Sequence, residues 1–182
     1  MLEDAIRIGK RLAEQNLVDG TSGNLSFREG DEIVITKTGS FLDSLHEKDF
    51  VIVKLGKSSK EASSDLLVHQ RIYEVSEYAA IIHCHGSYNV ALSNLEKSIK
   101  PLDLEGTMFL KEIKFIDGKF GSSRLAERIS REVKKKGFAV VKKHGIYTAG
   151  RSFDQAFAIA SFIEHSCKVY YLARLYSLLD RR

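Results

Sequence analysis

The run Ala79-Ala80-Ile81-Ile82-His83-Cys84, followed by His85-Gly86, limits the fold more than any other stretch of the chain. It is short, apolar and bounded by a glycine, which predicts a buried strand. Side chains alternate faces along a strand, so His83 and His85 share one face and Cys84 takes the other. Residues two apart on a strand are separated by roughly 7 Å, so both imidazoles can reach one ion. A second run, Phe138 to Lys143, reads as another strand and delivers His144 at its end, ahead of Gly145. A His-x-His pair alone is equally well two satisfied imidazoles. Joined by His144 it predicts a metal centre. Three histidines with no cysteine among them match an open catalytic zinc site, because structural zinc sites are usually closed by thiolates.

At 182 residues the chain is expected to form a single domain, 1–182, large enough to bury about 70% of its unfolded surface. No apolar stretch approaches the roughly 18–20 residues of a membrane span. The N-terminus, Met1-Leu2-Glu3-Asp4-Ala5-Ile6-Arg7, is acidic and amphipathic where a signal peptide is basic and then apolar. A cytoplasmic protein with no membrane partner is the expectation. Cys84 and Cys167 are too few for a disulfide framework and read as small buried hydrophobes. The net charge of +4 has its densest runs at Lys134-Lys135-Lys136 and Lys142-Lys143. The first closes a predicted helix, where lysines favour the negative end of the dipole. With no basic stripe interleaved with aromatics, nucleic acid is excluded as a partner, and attraction of small anions is the use left for the charge.

Helical spacing of Ala5, Ile8 and Leu12 predicts an amphipathic helix over Leu2 to Leu17. A turn-rich loop, Asp19 to Asn24, leads to a strand over Leu25 to Arg28. Glu29-Gly30-Asp31 is a hairpin signal before Ile33-Val34-Ile35, and Phe50 to Leu55 is a further strand. Ser63 to Glu77 reads as a helix. Leu125, Ile129 and Val133 mark another, ending at Gly137. Ser152-Phe153-Asp154-Gln155 is a capping box that opens a long last helix. Short turns between the early strands imply antiparallel pairing. The fold class expected is α/β, one three-layer α/β/α domain around a mixed, mainly antiparallel sheet. No phosphate-binding glycine fingerprint of the nucleotide folds occurs.

Three small polar clusters precede the histidines: Gly23-Asn24, Thr38-Gly39, and Ser63-Ser64 with Asp65 and His69 behind them. Singly, each is a turn or a helix cap. Together they offer backbone N–H groups, hydroxyls and a helix start to one anion. His69 lies one turn after Asp65 on the same helix face, where it orients or packs.

These segments, Gly20-Thr21-Ser22-Gly23-Asn24-Leu25-Ser26, Ile35-Thr36-Lys37-Thr38-Gly39, Ser63-Ser64-Asp65, His83-Cys84-His85 and His144-Gly145, resemble the class II aldolase/adducin family in order and separation over nearly the whole chain. The resemblance implies that His83, His85 and His144 hold Zn2+ or another divalent ion, and that Asn24, Thr38, Gly39, Ser63 and Ser64 hold a substrate phosphate. It implies an α/β/α fold, and a homotetramer with active sites at subunit interfaces. Two positions depart from the aldolases of the family. Asp65 stands where they carry a glutamate that serves as metal ligand and proton-transferring base, and matches the epimerases instead. Glu105, in Pro101-Leu102-Asp103-Leu104-Glu105-Gly106, stands near their tyrosine. It is either a second acid/base, as in the dehydratases, or a solvent-facing loop residue. The chain stops at Arg182, so a C-terminal tyrosine reaching a neighbour's site, as in some relatives, is expected to be missing.

The function the resemblance implies is metal-dependent lyase chemistry, with Asp65 and Glu105 as catalytic residues. A phosphorylated ketose resembling L-fuculose 1-phosphate would be cleaved reversibly to dihydroxyacetone phosphate and a short aldehyde. The alternatives are an L-ribulose-5-phosphate 4-epimerase-like enzyme, a methylthioribulose-1-phosphate dehydratase-like enzyme, and a non-catalytic adducin-like interaction module. Intact histidines weigh against the last.

Overall fold

The computed structural model of the chain describes residues 1–180; Arg181 and Arg182, and with them the expectation about the chain's end, lie outside the described residues. Eight strands occur among the described residues: β1 (Asn24–Glu29), β2 (Glu32–Thr36), β3 (Phe50–Lys54), β4 (Ala80–Cys84), β5 (Ser98–Ile99), β6 (Ile113–Ile116), β7 (Phe138–Val141) and β8 (Gly145–Gly150). They form one sheet in the order β3-β2-β1-β4-β8-β7-β6-β5. Every neighbouring pair is antiparallel except β6 with β7. The helices are α1 (Leu2–Glu14), α2 (Leu66–Val75), α3 (Ser87–Leu95), α4 (Ser123–Lys136) and α5 (Phe153–Leu179).

Alternation along the central strands divides the core in two. Leu25, Phe27, Ile82, Cys84 and Ile146 point to one face and pack against Ala5, Ile8 and Leu12 of α1 and Phe157 and Ile163 of α5. Ile33, Ile35, Ile81 and Tyr147 point to the other and pack against Ile72 of α2 and Ile129 and Val133 of α4. The result is the three-layer α/β/α architecture expected, with a mainly antiparallel sheet. Cys84 and Cys167 are both buried free thiols, as read from the sequence.

The helix ends follow local chemistry. Ser122 accepts from the Leu125 amide at the start of α4, and Gly137 closes that helix in the left-handed region, φ +80°. Ser152 likewise accepts from the Gln155 amide, but the Gln155 side chain accepts from Arg151 N–H and not from Ser152, so the capping box is half made. The first helix ends at Glu14, three residues early, and Leu17 folds under the sheet instead.

Two expectations are corrected where they touch the histidines. The strand expected over Phe138 to Lys143 stops at Val141, and Lys142 and Lys143 form a tight turn closed by His144 N–H to the Val141 carbonyl, 3.2 Å. His144 therefore sits in the β7–β8 connection and not at a strand end. The helix expected from Ser63 begins at Leu66, with Asp65 at its N-cap. Strand β8 was not legible because all six of its residues are buried, which removes the polar alternation a half-exposed strand shows.

Candidate active site

Strand β4 carries His83, and His85 follows one residue past its end with its N–H bonded to the Leu17 carbonyl; the two ring centroids are 4.6 Å apart. The β4–β8 ladder pairs His83 with Tyr147 and brings the preceding turn alongside, so that His144 lies 4.6 Å from His83 and 4.7 Å from His85. One ligand atom from each histidine lies within 4.8 Å of the others. Two glycines allow this approach. A side chain at Gly145 would collide with the Cys84 carbonyl, and one at Gly23, φ +79°, would lie 2.7 Å from the His83 carbonyl. Lys143, a residue with a side chain, takes up the left-handed strain of the turn at φ +61°.

The histidines are prepared for a cation. The Nδ1–H of His83 donates to the Ile146 carbonyl, 2.9 Å, which leaves the Nε2 lone pair free. That Nε2 faces the Nε2 of His85 at 2.7 Å. Burial pushes His83 well below the ordinary imidazole range, His85 down to about 4 with His144 adding to the effect, and His144 downward. Neutral imidazoles turned toward one point are the donor set a divalent cation requires, and the residues present fit such an ion.

Asp65 flanks this group. Although it occupies an N-cap, its side chain caps nothing. One oxygen, Oδ2, accepts from Asn24 Nδ2 at 2.9 Å and lies 3.4 Å from His83 Nε2; the other, Oδ1, accepts from the Tyr147 hydroxyl at 3.0 Å. Burial alone would raise this carboxyl; the neighbouring His83, His69 and His144, each only in its protonated form, and the Asn24 hydrogen bond pull it the other way, below its usual range. Asp65 is buried, 4% exposed. His69 is fully buried beneath it, bonded through Nδ1 to Ser26 Oγ at 2.6 Å, and burial drives it down to about 4. The orienting or packing role read for His69 is the one its position fits.

The three polar clusters converge. A cavity of about 250 Å³ is lined by Gly23, Asn24, Thr38, Gly39, Ser63, Ser64 and Asp65 together with the three histidines. Thr38 donates its hydroxyl to the Ala62 carbonyl, 2.9 Å, so toward the cavity it offers only its oxygen. Lys37 also lines the cavity and pairs with Glu61 at 3.1 Å, adding a cationic group that sequence reasoning passed over.

Two further residues escaped sequence reasoning. Phe120 lines the same cavity with its ring 5.1 Å from that of His144. Nothing in its glycine-flanked loop marks it. Tyr147 lies under the site, stacked on His83 at 4.0 Å. A signal existed for it: Tyr147 follows His144 by three residues in a strand that pairs with the histidine strand.

Glu105 does not join this group within one chain. It lines a separate cavity of about 570 Å³ between the end of α1, the start of α3 and the middle of α5. There the Glu164 carboxylate accepts from the Tyr88 and Asn89 amides at the N-terminus of α3.

The family model described as the class II aldolase and adducin N-terminal domain matches residues 3–171. The chain belongs to this family. It is 33% identical over 171 residues to an L-fuculose phosphate aldolase of Methanococcus maripaludis, covering 92% of this chain and 94% of that protein. It is 27% identical to a methylthioribulose-1-phosphate dehydratase of Sulfurihydrogenibium, covering 80% of this chain and 77% of that one. The crystal structure of L-fuculose-1-phosphate aldolase from Thermus thermophilus superposes with a TM-score of 0.91 at 27% identity, over 96% of this chain and 94% of that one. A class II aldolase fold therefore carries a three-histidine group able to hold a metal ion.

Proposed function

We propose that the chain is a zinc-dependent aldehyde-lyase that reversibly cleaves a phosphorylated ketose resembling L-fuculose 1-phosphate to dihydroxyacetone phosphate and a short aldehyde. The observation that carries this reading is that one cavity is lined both by three histidines whose ligand atoms lie within 4.8 Å of one another and by Thr38, Gly39, Ser63 and Ser64. His83, His85 and His144 would hold the ion, and when bound it supplies Lewis-acid stabilisation of the charge that develops as the C–C bond breaks. Gly39, Ser63 and Ser64 would receive the phosphate through backbone N–H groups and hydroxyls at the start of α2, with Asn24 and Thr38 beside them. Asp65, 3.4 Å from His83 Nε2, would take up and return the proton.

The relative among the dehydratases and the aspartate at position 65 keep two further outcomes in view, loss of water and epimerisation. The experiment is to follow aldehyde release, epimer formation and loss of water when zinc-loaded protein meets a panel of ketose 1- and 5-phosphates. Aldehyde release from a 1-phosphate supports the aldolase. Water loss or epimer formation without it replaces that reading, and a protein purified without a tag that carries no metal replaces it with the interaction module. With the aldolase substrate in hand, Asp65→Asn is expected to lower turnover about 100-fold or more, the scale of a lost general base.

Assembly as a homotetramer belongs to the same proposal. Tyr171, Leu172, Leu175, Tyr176, Leu178 and Leu179 on the second half of α5 are exposed, as are Leu102, Leu104, Met108 and Phe109 around Glu105. Glu105 would act on the metal site of a neighbouring copy. Mixing and reassembling Asp65→Asn with Glu105→Gln subunits is expected to restore activity that neither has alone; no recovery removes Glu105 from the mechanism. Sedimentation as a monomer at micromolar concentration removes the tetramer. Two free buried thiols support a reducing, cytoplasmic setting.

A further inference from the structure

Tyr147 is 1% exposed, an unusual place for a hydroxyl unless that group is paired. It stands on β8 directly across the ladder from His83, and its ring lies over the His83 imidazole at an interplanar angle of 10°. Its hydroxyl donates to Asp65 Oδ1 at 3.0 Å and lies 3.2 Å from His144 Nε2. One side chain thus touches three of the groups that face the cavity: the carboxylate, one histidine through its ring and another through its oxygen.

The hydroxyl does what no other contact of Asp65 does. Asn24 Nδ2 donates to Oδ2, the oxygen on the His83 side. A carboxylate held by one oxygen alone can swing about that bond. Tyr147 takes the other oxygen, and with both held the plane of the carboxylate is set. The N-terminal amides of α2 do not compete, since Asp65 makes no cap bond to them. Tyr147 is held in its turn by the stack on His83 and by the apolar residues of α2 and α4 in its cluster.

We propose that Tyr147 is a positioning residue of the metal centre, orienting Asp65 through its hydroxyl while its ring backs His83. This inference rests on the metal-binding reading of the three histidines. Groups that orient metal ligands and their neighbours typically contribute 10–100-fold in metal affinity or activity.

Tyr147→Phe tests it, because the ring and its stack remain and only the hydroxyl goes. The readouts are the zinc dissociation constant by chelator competition at neutral pH, and the visible spectrum of the Co2+-loaded protein. The expected result is zinc binding weakened about 10-fold or more, with an altered cobalt spectrum. Far-ultraviolet dichroism is expected to match the wild type. Tyr147→Leu, which removes the ring as well, separates the roles. If Tyr147→Phe binds zinc and cobalt as the wild type does and only Tyr147→Leu loses them, Tyr147 is packing and the proposal fails while the metal-binding reading stands. If the wild type itself binds neither ion, both fall. In an Asp65→Asn background the Tyr147→Phe effect is expected to shrink, since the hydroxyl acts through that carboxylate; strictly additive effects overturn the proposal.

Discussion

The two faces of the central sheet are made from alternate residues of the same strands, and they differ in kind. On the side of α1, α3 and α5 the strands present Leu25, Phe27, Ile82, Cys84 and Ile146, an almost wholly apolar surface. On the side of α2 and α4 the strands present an apolar cluster including Ile33, Ile35 and Ile81, and beside it Asn24, Ser26, His83 and Tyr147, whose polar atoms meet Asp65, His69 and Tyr73. The first face gains stability from area removed from water, whatever the detail of its packing. The second buries polar groups whose desolvation is offset only by specific partners, so each depends on its neighbours' geometry. Function sits on the costly face, toward one end of the strands. Both faces bury apolar side chains, but the other carries none of the site residues, so a substitution there is expected to disturb stability and leave the site intact.

The largest expected effect is on the polar face. Changing any of His83, His85 or His144 to alanine is expected to abolish bound metal and detectable activity while the apolar face keeps the fold. Metal analysis with far-ultraviolet dichroism checks it. A His144→Ala protein at full metal occupancy removes His144 from the site, and one that unfolds breaks the division between the faces.

The converse substitution is Phe157→Ala, on α5 and 3% exposed. It is expected to cost about 3–5 kcal/mol in urea unfolding, as large-to-small changes in a packed core do. The metal dissociation constant is expected to stay at the wild-type value. A shift in that constant comparable to the stability loss would show that the faces are coupled.

The next effect is a pH dependence. His69 is neutral when folded, with a value of about 4 against 6.5 when free. Between those values the unfolded chain binds the extra proton, so this residue's contribution is full above pH 6.5 and is lost as pH falls toward 4. The loss is on the order of 3 kcal/mol. Urea midpoints across that window are expected to fall more steeply for the wild type than for His69→Gln. Equal slopes would mean that His69 is protonated in the folded protein.

The smallest effect is at the surface. Arg7 joins α1 to the start of α5 through Asp154 at 2.7 Å, with Arg11 beside it at 3.2 Å. Both partners are about half exposed, so Arg7→Ala is expected to cost less than about 1 kcal/mol by urea unfolding, and less again at high salt. A larger, salt-insensitive loss would place this ion pair within the apolar side's cooperative packing.

Much of this was legible in the sequence because it depends on local pattern. Alternation in Ala80–Cys84 placed His83 opposite Cys84, helical spacing gave α1 and α4, and the short loop at Gly30 implied antiparallel pairing. Strand β8 and Tyr147 were not legible, since a strand buried on both sides carries no polar alternation. Its partner, His83, lies 64 positions earlier in the chain.

The sequence by itself determined which chemical groups are available: three histidines, a carboxylate after two serines, glycine-rich loops and two isolated thiols. It also determined the secondary structure that carries most of them, because propensity and periodicity act over a few residues. Only the tertiary structure decided which groups meet. It brought Asp65 to Asn24 and Tyr147 and away from the helix it begins, and it put Glu105 in a different cavity from the histidines. The reason is physical. A side chain's partner at long range is set by strand register and by packing between layers, and these emerge only when the whole core closes.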